Sequence, residues 1–263
     1  MKPARIPMDT EELQPYKEKA SPEAIHLYQR KVGSILYAAI ITRPDAAKTA
    51  SKLSEFMQNP SPRHHAAADQ AITYLYGTKN LAIEFSAGHT NGDINEKVFI
   101  GASDAAYADD STTRQSSEGY LFHLFGGAVD WHATKQKTVT TSTTEAELLA
   151  LSHAAKEIYW WKRFFKSIQL DPGHELALAC DNLQTINLLI KDSVKLVTKL
   201  KHIDIHKHWL RQEVQDKRLI INWIPTGEMP ADGLTKALPR QKHESFIKQL
   251  GLVDIRERLK ELL

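Results

Sequence analysis

The sequence has little of what marks secreted, membrane-bound or strongly basic proteins. Its 263 residues include one cysteine, Cys180, so no disulfide can form within the chain and a reducing compartment is expected. No apolar run approaches the roughly 20 residues that a membrane-spanning helix needs. The segment from Met1 to Thr10 lacks the apolar core of a secretory signal. These absences predict an intracellular protein, cytoplasmic or nuclear, that is not secreted and has no membrane partner.

A large charge of one sign is also missing. The formal net charge is +2, although charged residues make up 25% of the chain. Overall charge therefore permits a nucleic-acid partner without indicating one, and only local basic clusters can argue for it. The hydrophobic share of 42% is ordinary for a globular protein and supplies enough apolar surface for one large or two small cores.

The first part of the sequence predicts a small three-helix unit. Ser21-Pro22-Glu23 is a typical helix start, and apolar residues then recur at helical spacing as far as Ile40. Arg43-Pro44 and the segment Asn59-Pro60-Ser61-Pro62 separate this helix from two more. The turn-rich stretch 88–93 then predicts a boundary between two domains, residues 1–92 and residues 93–263.

The second part predicts an α/β domain. Three strands are expected at 98–104, 120–125 and 128–132, with Gly126-Gly127 as the hairpin turn of the last two. A long helix, a buried strand at 176–180, further helices, a strand at 219–224 and a helical tail from 240 to 263 follow. Because helical crossovers precede the two later strands, those strands should run parallel to their neighbours. The predicted architecture is a mixed five-stranded sheet flanked by helices and preceded by a small helical subdomain.

Four acids stand at element ends, where chemistry is expected. Asp104 ends an otherwise apolar strand face, and Asp181 ends the buried strand. A helical wheel places Glu147 at the centre of the apolar face of the long helix, with Glu145 on the opposite face toward water. Asp181 and Asp232 each have the ordinary alternative of capping the helix that follows.

Together the acids indicate a metal site. If the strands that end at Asp104 and Asp181 are neighbours, both carboxylates and Glu147 meet at one edge of the sheet. Close carboxylates repel one another and raise one another's pKa unless a cation lies between them. Oxygen ligands of this kind suit Mg²⁺ or Mn²⁺, and a pair of such ions can activate water for phosphodiester hydrolysis.

The motifs around these acids resemble the polyproteins of copia-type LTR retrotransposons. The ribonuclease H region of that family is matched, in order, by Ser103-Asp104-Ala105, Ser142-Thr143-Thr144-Glu145-Ala146-Glu147-Leu148, Cys180-Asp181-Asn182, Lys201-His202-Ile203-Asp204-Ile205 and Pro230-Ala231-Asp232-Gly233-Leu234-Thr235-Lys236. The thumb end of its reverse transcriptase is matched by Val32-Gly33-Ser34-Ile35-Leu36-Tyr37, Thr42-Arg43-Pro44-Asp45 and Tyr74-Leu75-Tyr76-Gly77-Thr78-Lys79. Nearly the whole chain is covered.

The resemblance implies a ribonuclease H-like fold and cleavage of the RNA strand of RNA–DNA hybrids with two Mg²⁺ or Mn²⁺ ions. It implies catalytic and metal-binding roles for Asp104, Glu147, Asp181 and Asp232. It also implies that other parts of a reverse transcriptase are partners. One departure from cellular ribonucleases H is the segment between Pro225 and Asp232, which is short and has no histidine.

Other functions stay open at this point. The chain could be a nucleic-acid-binding or scaffold protein that keeps the fold without turnover, or a DNA strand-transfer enzyme on the same fold. Tyr107-Ala108-Asp109-Asp110 matches the polymerase signature of reverse transcriptases, but it falls in a polar turn without a palm, so polymerase activity is not expected.

Basic and polar residues near the acids suggest where nucleic acid would bind. A lysine-rich stretch between 191 and 211 is either a solvated face or a backbone contact. His202 and His206 could share a metal, although a solvated pair is the simpler interpretation. The expected nucleic-acid-binding residues are Arg114, Asn182, Gln184, Lys199, Lys201 and Lys236.

Overall fold

A computed structural model describes residues 4–86, 98–172, 175–191 and 201–261, without the side chains of 201–203. The chain divides into two compact units, Met1–Glu84 with Lys236–Leu263, and Phe85–Thr235. The predicted division at residue 92 falls outside the described residues. The predicted second domain, 93–263, also differs from these units, because the segment from Lys236 onward groups with the first unit. No helix within the described ranges is both long and apolar enough to cross a membrane.

The first unit contains the three predicted helices. They are α1 (Pro22–Ile41), α2 (Ala47–Ser54), preceded by a 3₁₀ turn at Pro44–Ala46, and α3 (Pro62–Gly77). Ser21 and Ser61 cap α1 and α3, each with a proline in the first turn. The apolar faces of the helices meet in a core that includes Tyr28, Ile35 and Leu53.

The end of the chain differs from the predicted continuous helix. Helix α8 (Arg240–Gln249) is followed by a strand, β7 (Leu252–Asp254), and by helix α9 (Arg256–Glu261). Strand β7 pairs antiparallel with β1 (Leu81–Ile83), so that Leu81 lies opposite Asp254. A three-residue strand carries too little alternation to be read from sequence, and its partner lies about 170 positions away along the chain, which local patterns do not reveal.

A buried polar network also lies in the first unit. The Arg43 guanidinium donates to both carboxylate oxygens of Asp45 at 2.9 and 2.7 Å, and to the carbonyl of Thr78. The hydroxyl of Tyr74 donates to Asp45 and lies 2.9 Å from Nε2 of His243 on α8. Since that hydroxyl has one hydrogen, Nε2 of His243 must be the donor in the second bond. Burial lowers the pKa of His243.

The second unit contains the predicted five-stranded sheet. Its strands are β2 (Phe99–Ala106), β3 (Ser117–Leu124), β4 (Gly127–Lys135), β5 (Ala177–Cys180) and β6 (Ile220–Trp223), in the order β4-β3-β2-β5-β6. The pairs β2–β3 and β3–β4 are antiparallel, and β5 is parallel to both β2 and β6. This confirms the ribonuclease H-like mixed sheet. The hairpin turn is Phe125-Gly126, both at positive φ, one residue earlier than predicted.

Helices accompany this sheet. They are α4 (Thr143–Ser167), α5 (Leu183–Ile190), α6 (Lys201–Gln215) and the single turn α7 (Asp232–Thr235), which follows a 3₁₀ turn at Thr226–Glu228. The long helix α4 packs its apolar stripe on the sheet, where Leu151 and Ile158 meet Phe99, Phe122 and Leu178 in the core. Trp161 is buried in this core, whereas the adjacent Trp160 is 46% exposed.

Candidate metal centre

Two of the predicted acids end neighbouring parallel strands. In the β2–β5 pair, Ala102 lies opposite Ala179, and Asp104 and Asp181 each follow two positions later. Side chains two positions apart along a strand share a face, so both acids project from the same face at the same end of the sheet. Asp181 does not cap α5, because the side chain of Asn182 accepts the hydrogen bond from the amide of Thr185 at 2.9 Å. The capping alternative for Asp181 is therefore wrong.

Glu147 reaches the two aspartates from the first turns of α4. Ala105 on β2 packs against Ala146 and Ala150, and these small side chains let the helix lie close to the strand. Ser142 begins the helix by accepting a hydrogen bond from the amide of Glu145 at 3.2 Å. The start of α4 is thereby fixed beside the strand that carries Asp104.

The three carboxylates form one cluster. One oxygen of each of Asp104, Glu147 and Asp181 lies within 4.8 Å of the others. Asp104 is 1% exposed and Glu147 6% exposed, whereas Asp181 is partly buried. The thiol of Cys180 lies in the field of these acids: burial first, and then the charge of Glu147, raise its pKa.

The fourth predicted acid, Asp232, lies in a segment that covers the same face of the sheet. Ala102 and Ala179 pack against Met229 and Ala231, which lead directly into α7. At the end of α7, the hydroxyl of Thr235 donates to Oδ2 of Asp104. The cluster of three does not include Asp232, and its role as a ligand stays a prediction.

The donor set fits a hard divalent cation. All three groups offer carboxylate oxygens, which suit Mg²⁺ or Mn²⁺ better than metals that prefer nitrogen or sulfur. Three carboxylates this close repel when ionised, and a bound cation offsets that repulsion. The arrangement can therefore bind a divalent cation, while the number of ions stays a prediction.

The prediction for Glu145 is wrong. This residue is 1% exposed and does not point to water. Its Oε2 accepts hydrogen bonds from the amide and the hydroxyl of Thr141, both at 2.7 Å, so it fastens the loop before α4. The helical wheel placed Glu145 and Glu147 on different faces of α4. It takes no account, however, of the loop before α4, whose Thr141 binds Glu145.

Four of the six predicted nucleic-acid-binding residues have side chains within the described part of the chain. Arg114 is exposed in the turn between β2 and β3, at positive φ, and Gln184 is exposed on α5, where it accepts from Thr144. Asn182 uses its side-chain oxygen as the cap of α5. Lys199 and the side chain of Lys201 lie outside the described residues, and Lys236 begins the segment that groups with the first unit. Nucleic-acid binding by all six stays a prediction.

His206, one of the two histidines considered as a metal pair, contacts protein groups. Its Nδ1 lies 2.6 Å from the hydroxyl of Ser152 on α4, and its ring meets that of His153 edge to face. The side chain of His202 lies outside the described residues, so the pair itself is not tested.

The two acids of the polymerase-like motif hold a turn together. Asp109 accepts from the amide and hydroxyl of Ser117, both at 2.7 Å. Asp110 accepts from the amides of Thr112 and Thr113, and from the Lys135 ammonium. These bonds give the motif a structural role in the second unit.

Sequence reasoning missed two polar groups near the site. In the sequence, Thr235 stands out only as part of a motif, although its hydroxyl contacts Asp104. Glu118 is buried beside the start of α4, where it accepts from Gln136 at 3.1 Å and lies 2.7 Å from Nδ1 of His153. A hydroxyl three positions after an acid was the available signal for Thr235, whereas Glu118 had none because its partners come from distant elements.

Comparison with known proteins identifies the relatives of this chain. No model of a known protein family matches it. It is 38% identical to the retrovirus-related Pol polyprotein from transposon TNT 1-94 of Nicotiana tabacum, over 86% of this chain and 16% of the polyprotein. It is 41% identical to secreted RxLR effector protein 161 of Plasmopara viticola, over 51% of this chain and 89% of that protein.

Among solved structures, the chain resembles LC11-RNase H1 in complex with an RNA/DNA hybrid. Sequence identity is 16% and the TM-score is 0.37, over 52% of this chain and 92% of that one. The similarity to Pol polyproteins covers most of this chain, including both the helical unit and the acid cluster, but only about a sixth of their length. The chain belongs to the retrovirus-related Pol polyproteins of copia-type transposons and corresponds to their C-terminal reverse transcriptase and ribonuclease H region.

Proposed function

We propose that this chain is a metal-dependent nuclease that cleaves the RNA strand of RNA–DNA hybrids. The observation that carries the proposal is the meeting of Asp104, Glu147 and Asp181 at one end of a ribonuclease H-like sheet. An acid cluster alone suits several phosphodiester substrates. We choose the RNA–DNA hybrid as the proposed substrate because the chain shares motifs with the ribonuclease H region of copia-type polyproteins.

In this proposal, Asp104, Glu147 and Asp181 hold two Mg²⁺ or Mn²⁺ ions, with Asp232 as a fourth ligand. When bound, such ions activate a water for attack on the phosphodiester and stabilise the negative charge on the leaving oxygen. The chain's own contribution is to hold the ligands in place before the substrate arrives. Two strand ends fix the aspartates, the start of α4 fixes Glu147, and burial of Asp104 and Glu147 keeps bulk water from screening their charge.

The hybrid would be held by its phosphates. Arg114, Asn182, Gln184, Lys199, Lys201 and Lys236 are proposed to contact its backbone, and the helices of the first unit to act as the thumb-like part of a reverse transcriptase. Contacts to phosphates give affinity without sequence preference and make binding weaken as salt rises.

A second candidate is a nucleic-acid-binding or scaffold protein without turnover. It is favoured by the modest net charge of +2, since a firm grip on a nucleic-acid substrate normally needs a more basic surface. It predicts hybrid binding that is independent of the acid cluster.

The test is a panel of labelled RNA–DNA hybrid, duplex RNA and duplex DNA, each with Mg²⁺, with Mn²⁺ and with chelator. We expect metal-dependent cleavage of the RNA in the hybrid and intact duplex DNA. Primer extension on a primed template should be absent. Tight hybrid binding without cleavage in either metal would favour the scaffold, and cleavage of duplex DNA would favour a strand-transfer type of enzyme.

A further inference from the structure

The hydroxyl of Thr235 contacts the carboxylate of Asp104 and the main chain of Asp232, two of the proposed catalytic residues. Thr235 is fully buried at the end of α7, and its Oγ1 donates to Oδ2 of Asp104. The same Oγ1 lies 3.1 Å from the main-chain oxygen of Asp232, one turn earlier. A threonine hydroxyl has one hydrogen, and an ionised carboxylate is a stronger acceptor than a carbonyl, so the hydrogen points to Asp104.

The sheet is shaped to let α7 approach Asp104. Gly119 on β3 lies opposite Asp104 on β2. A β-carbon at Gly119 would lie 2.7 Å from Cβ of Leu234, which is too close for a side chain, and in a tight contact of 3.3 Å with Cγ2 of Thr235. The glycine therefore leaves the space that α7 occupies, and Gly233, Leu234 and Thr235 are all buried there. The hydrogen bond between Thr235 and Asp104 belongs to a closely packed part of the unit.

This bond restricts how the carboxylate of Asp104 can turn. With Oδ2 held by the hydroxyl, rotation of the carboxylate would break a buried hydrogen bond. Protein groups that orient a metal ligand in this way commonly contribute about 10–100-fold to metal affinity or activity. Because α7 begins with Asp232 and ends with Thr235, the same turn sets the place of the fourth acid.

We propose that Thr235 is a positioning residue, which orients Asp104 for the metal and couples it to the turn that carries Asp232. The proposal rests on the proposed function in that it takes Asp104 to be a metal ligand. It adds a role for a side chain that neither binds the metal nor touches the substrate.

The test compares Thr235→Val, which removes the hydroxyl and keeps the shape, with Thr235→Ser, which keeps the hydroxyl. Thr140→Val is the matched control, because the buried Thr140 hydroxyl bonds Ser116 at 3.0 Å in the same unit. Calorimetry with Mn²⁺ gives the affinity, and hybrid cleavage is followed as a function of Mn²⁺ concentration. We expect Thr235→Val to weaken Mn²⁺ binding by about 10–100-fold and to raise the Mn²⁺ needed for cleavage. Thr235→Ser and Thr140→Val should bind Mn²⁺ as the wild type does.

The outcomes separate this proposal from the proposed function. Wild-type protein that binds Mn²⁺ but cleaves no hybrid, together with weaker binding by Thr235→Val, would support positioning and overturn the nuclease. Equal Mn²⁺ affinity in the wild type and Thr235→Val would overturn positioning, whatever the activity. Wild type that binds no Mn²⁺ would overturn both. If Thr235→Val does not fold, Thr235→Ala makes the same comparison with a smaller side chain.

Discussion

Two buried groups of ionisable side chains, one in each unit, are arranged in opposite ways. In the first unit, the buried carboxylate of Asp45 is matched by the Arg43 guanidinium and the Tyr74 hydroxyl. In the second unit, Asp104 and Glu147 are similarly buried, and one carboxylate oxygen of each lies within 4.8 Å of the other and of one oxygen of Asp181. One arrangement satisfies its charge within the chain, and the other concentrates negative charge in one place.

This difference indicates a structural role for the Arg43–Asp45 network and a functional role for the cluster of Asp104, Glu147 and Asp181. A buried carboxylate with a cation and a hydroxyl beside it needs no ligand, so the Arg43–Asp45 network holds elements of its unit together. Carboxylates gathered in one place are unfavourable without a cation, and such arrangements are typical of functional sites. The same substitution, aspartate to asparagine, should therefore have opposite effects on stability in the two units.

The largest effect on stability is expected in the first unit. Asp45→Asn removes the negative charge and leaves the Arg43 guanidinium buried without its counter-ion, which costs about 3–5 kcal/mol in comparable buried pairs. Asp254→Asn is the control, since Asp254 pairs with Arg256 at the surface and should change stability little. Urea unfolding of both variants measures the difference. Equal stability of the two variants would show that the Arg43 network contributes no more than a surface pair.

The next effect concerns activity and the two glutamates of α4. Glu147→Gln should lower hybrid cleavage by at least about 100-fold, the upper range for losing a group that merely orients a metal ligand. Glu145→Gln keeps an oxygen that can accept from Thr141, so it should change the rate little. Single-turnover cleavage in Mn²⁺ compares them. Equal losses would mean that the loop before α4, and not the acid cluster, limits the reaction.

A smaller effect is expected from His243 in the Arg43 network. Burial lowers its pKa, with Asp45 and Glu244 opposing and Arg43 reinforcing that shift. As the pH falls, His243 of the unfolded chain therefore takes up a proton near pH 6.5, whereas His243 of the folded chain does so only at lower pH. Stability should fall as pH drops below about 6.5, by at most about 1.4 kcal/mol per pH unit for this group.

His243→Gln isolates that contribution, because the glutamine amide can still donate to Tyr74 and has no titrating group. Burial also lowers the pKa of His64, so the wild type and the variant must be compared directly. Urea unfolding from pH 7.5 to 5 should give a shallower decline for the variant. Parallel declines would show that His243 does not titrate in this range on unfolding.

The smallest effect on stability is expected for Asp181 in the acid cluster. Without metal, Asp181→Asn should be as stable as the wild type or slightly more stable, since it removes one of three repelling charges. Mn²⁺ should raise the melting temperature of the wild type by mass action and that of the variant by less. A metal-free Asp181→Asn that is as destabilised as Asp45→Asn would mean that Asp181 has a structural partner like that of Asp45.

Much of the second unit could be predicted, because its signals are local. Strand alternation, the apolar stripe of α4 and the short turn at Gly126 are each patterns formed by residues close together in the sequence. These patterns predicted the sheet and the three clustered acids. Glu145 and Asp181 show the limit of this reasoning. The burial of Glu145 depends on the loop before α4. Whether Asp181 or Asn182 caps α5 depends on the single residue at which the helix begins.

The features that sequence reasoning missed depend on contacts between distant segments. The pairing of β7 with β1, and the grouping of the segment after Lys236 with the first unit, join the two ends of the described chain. The bond from Thr235 to Asp104 likewise spans 131 positions. No periodicity in a single sequence records such pairings, so they required the structure.

In the proposed function, the acid cluster is the catalytic site of a metal-dependent ribonuclease H. The most direct measurement is cleavage of labelled RNA–DNA hybrid by wild type and Asp104→Asn, purified in parallel, over a range of Mn²⁺ concentrations. We expect Mn²⁺-dependent cleavage of the RNA strand by the wild type, and none by Asp104→Asn at any concentration, with both proteins folded. Robust Mn²⁺-dependent cleavage by Asp104→Asn would contradict it.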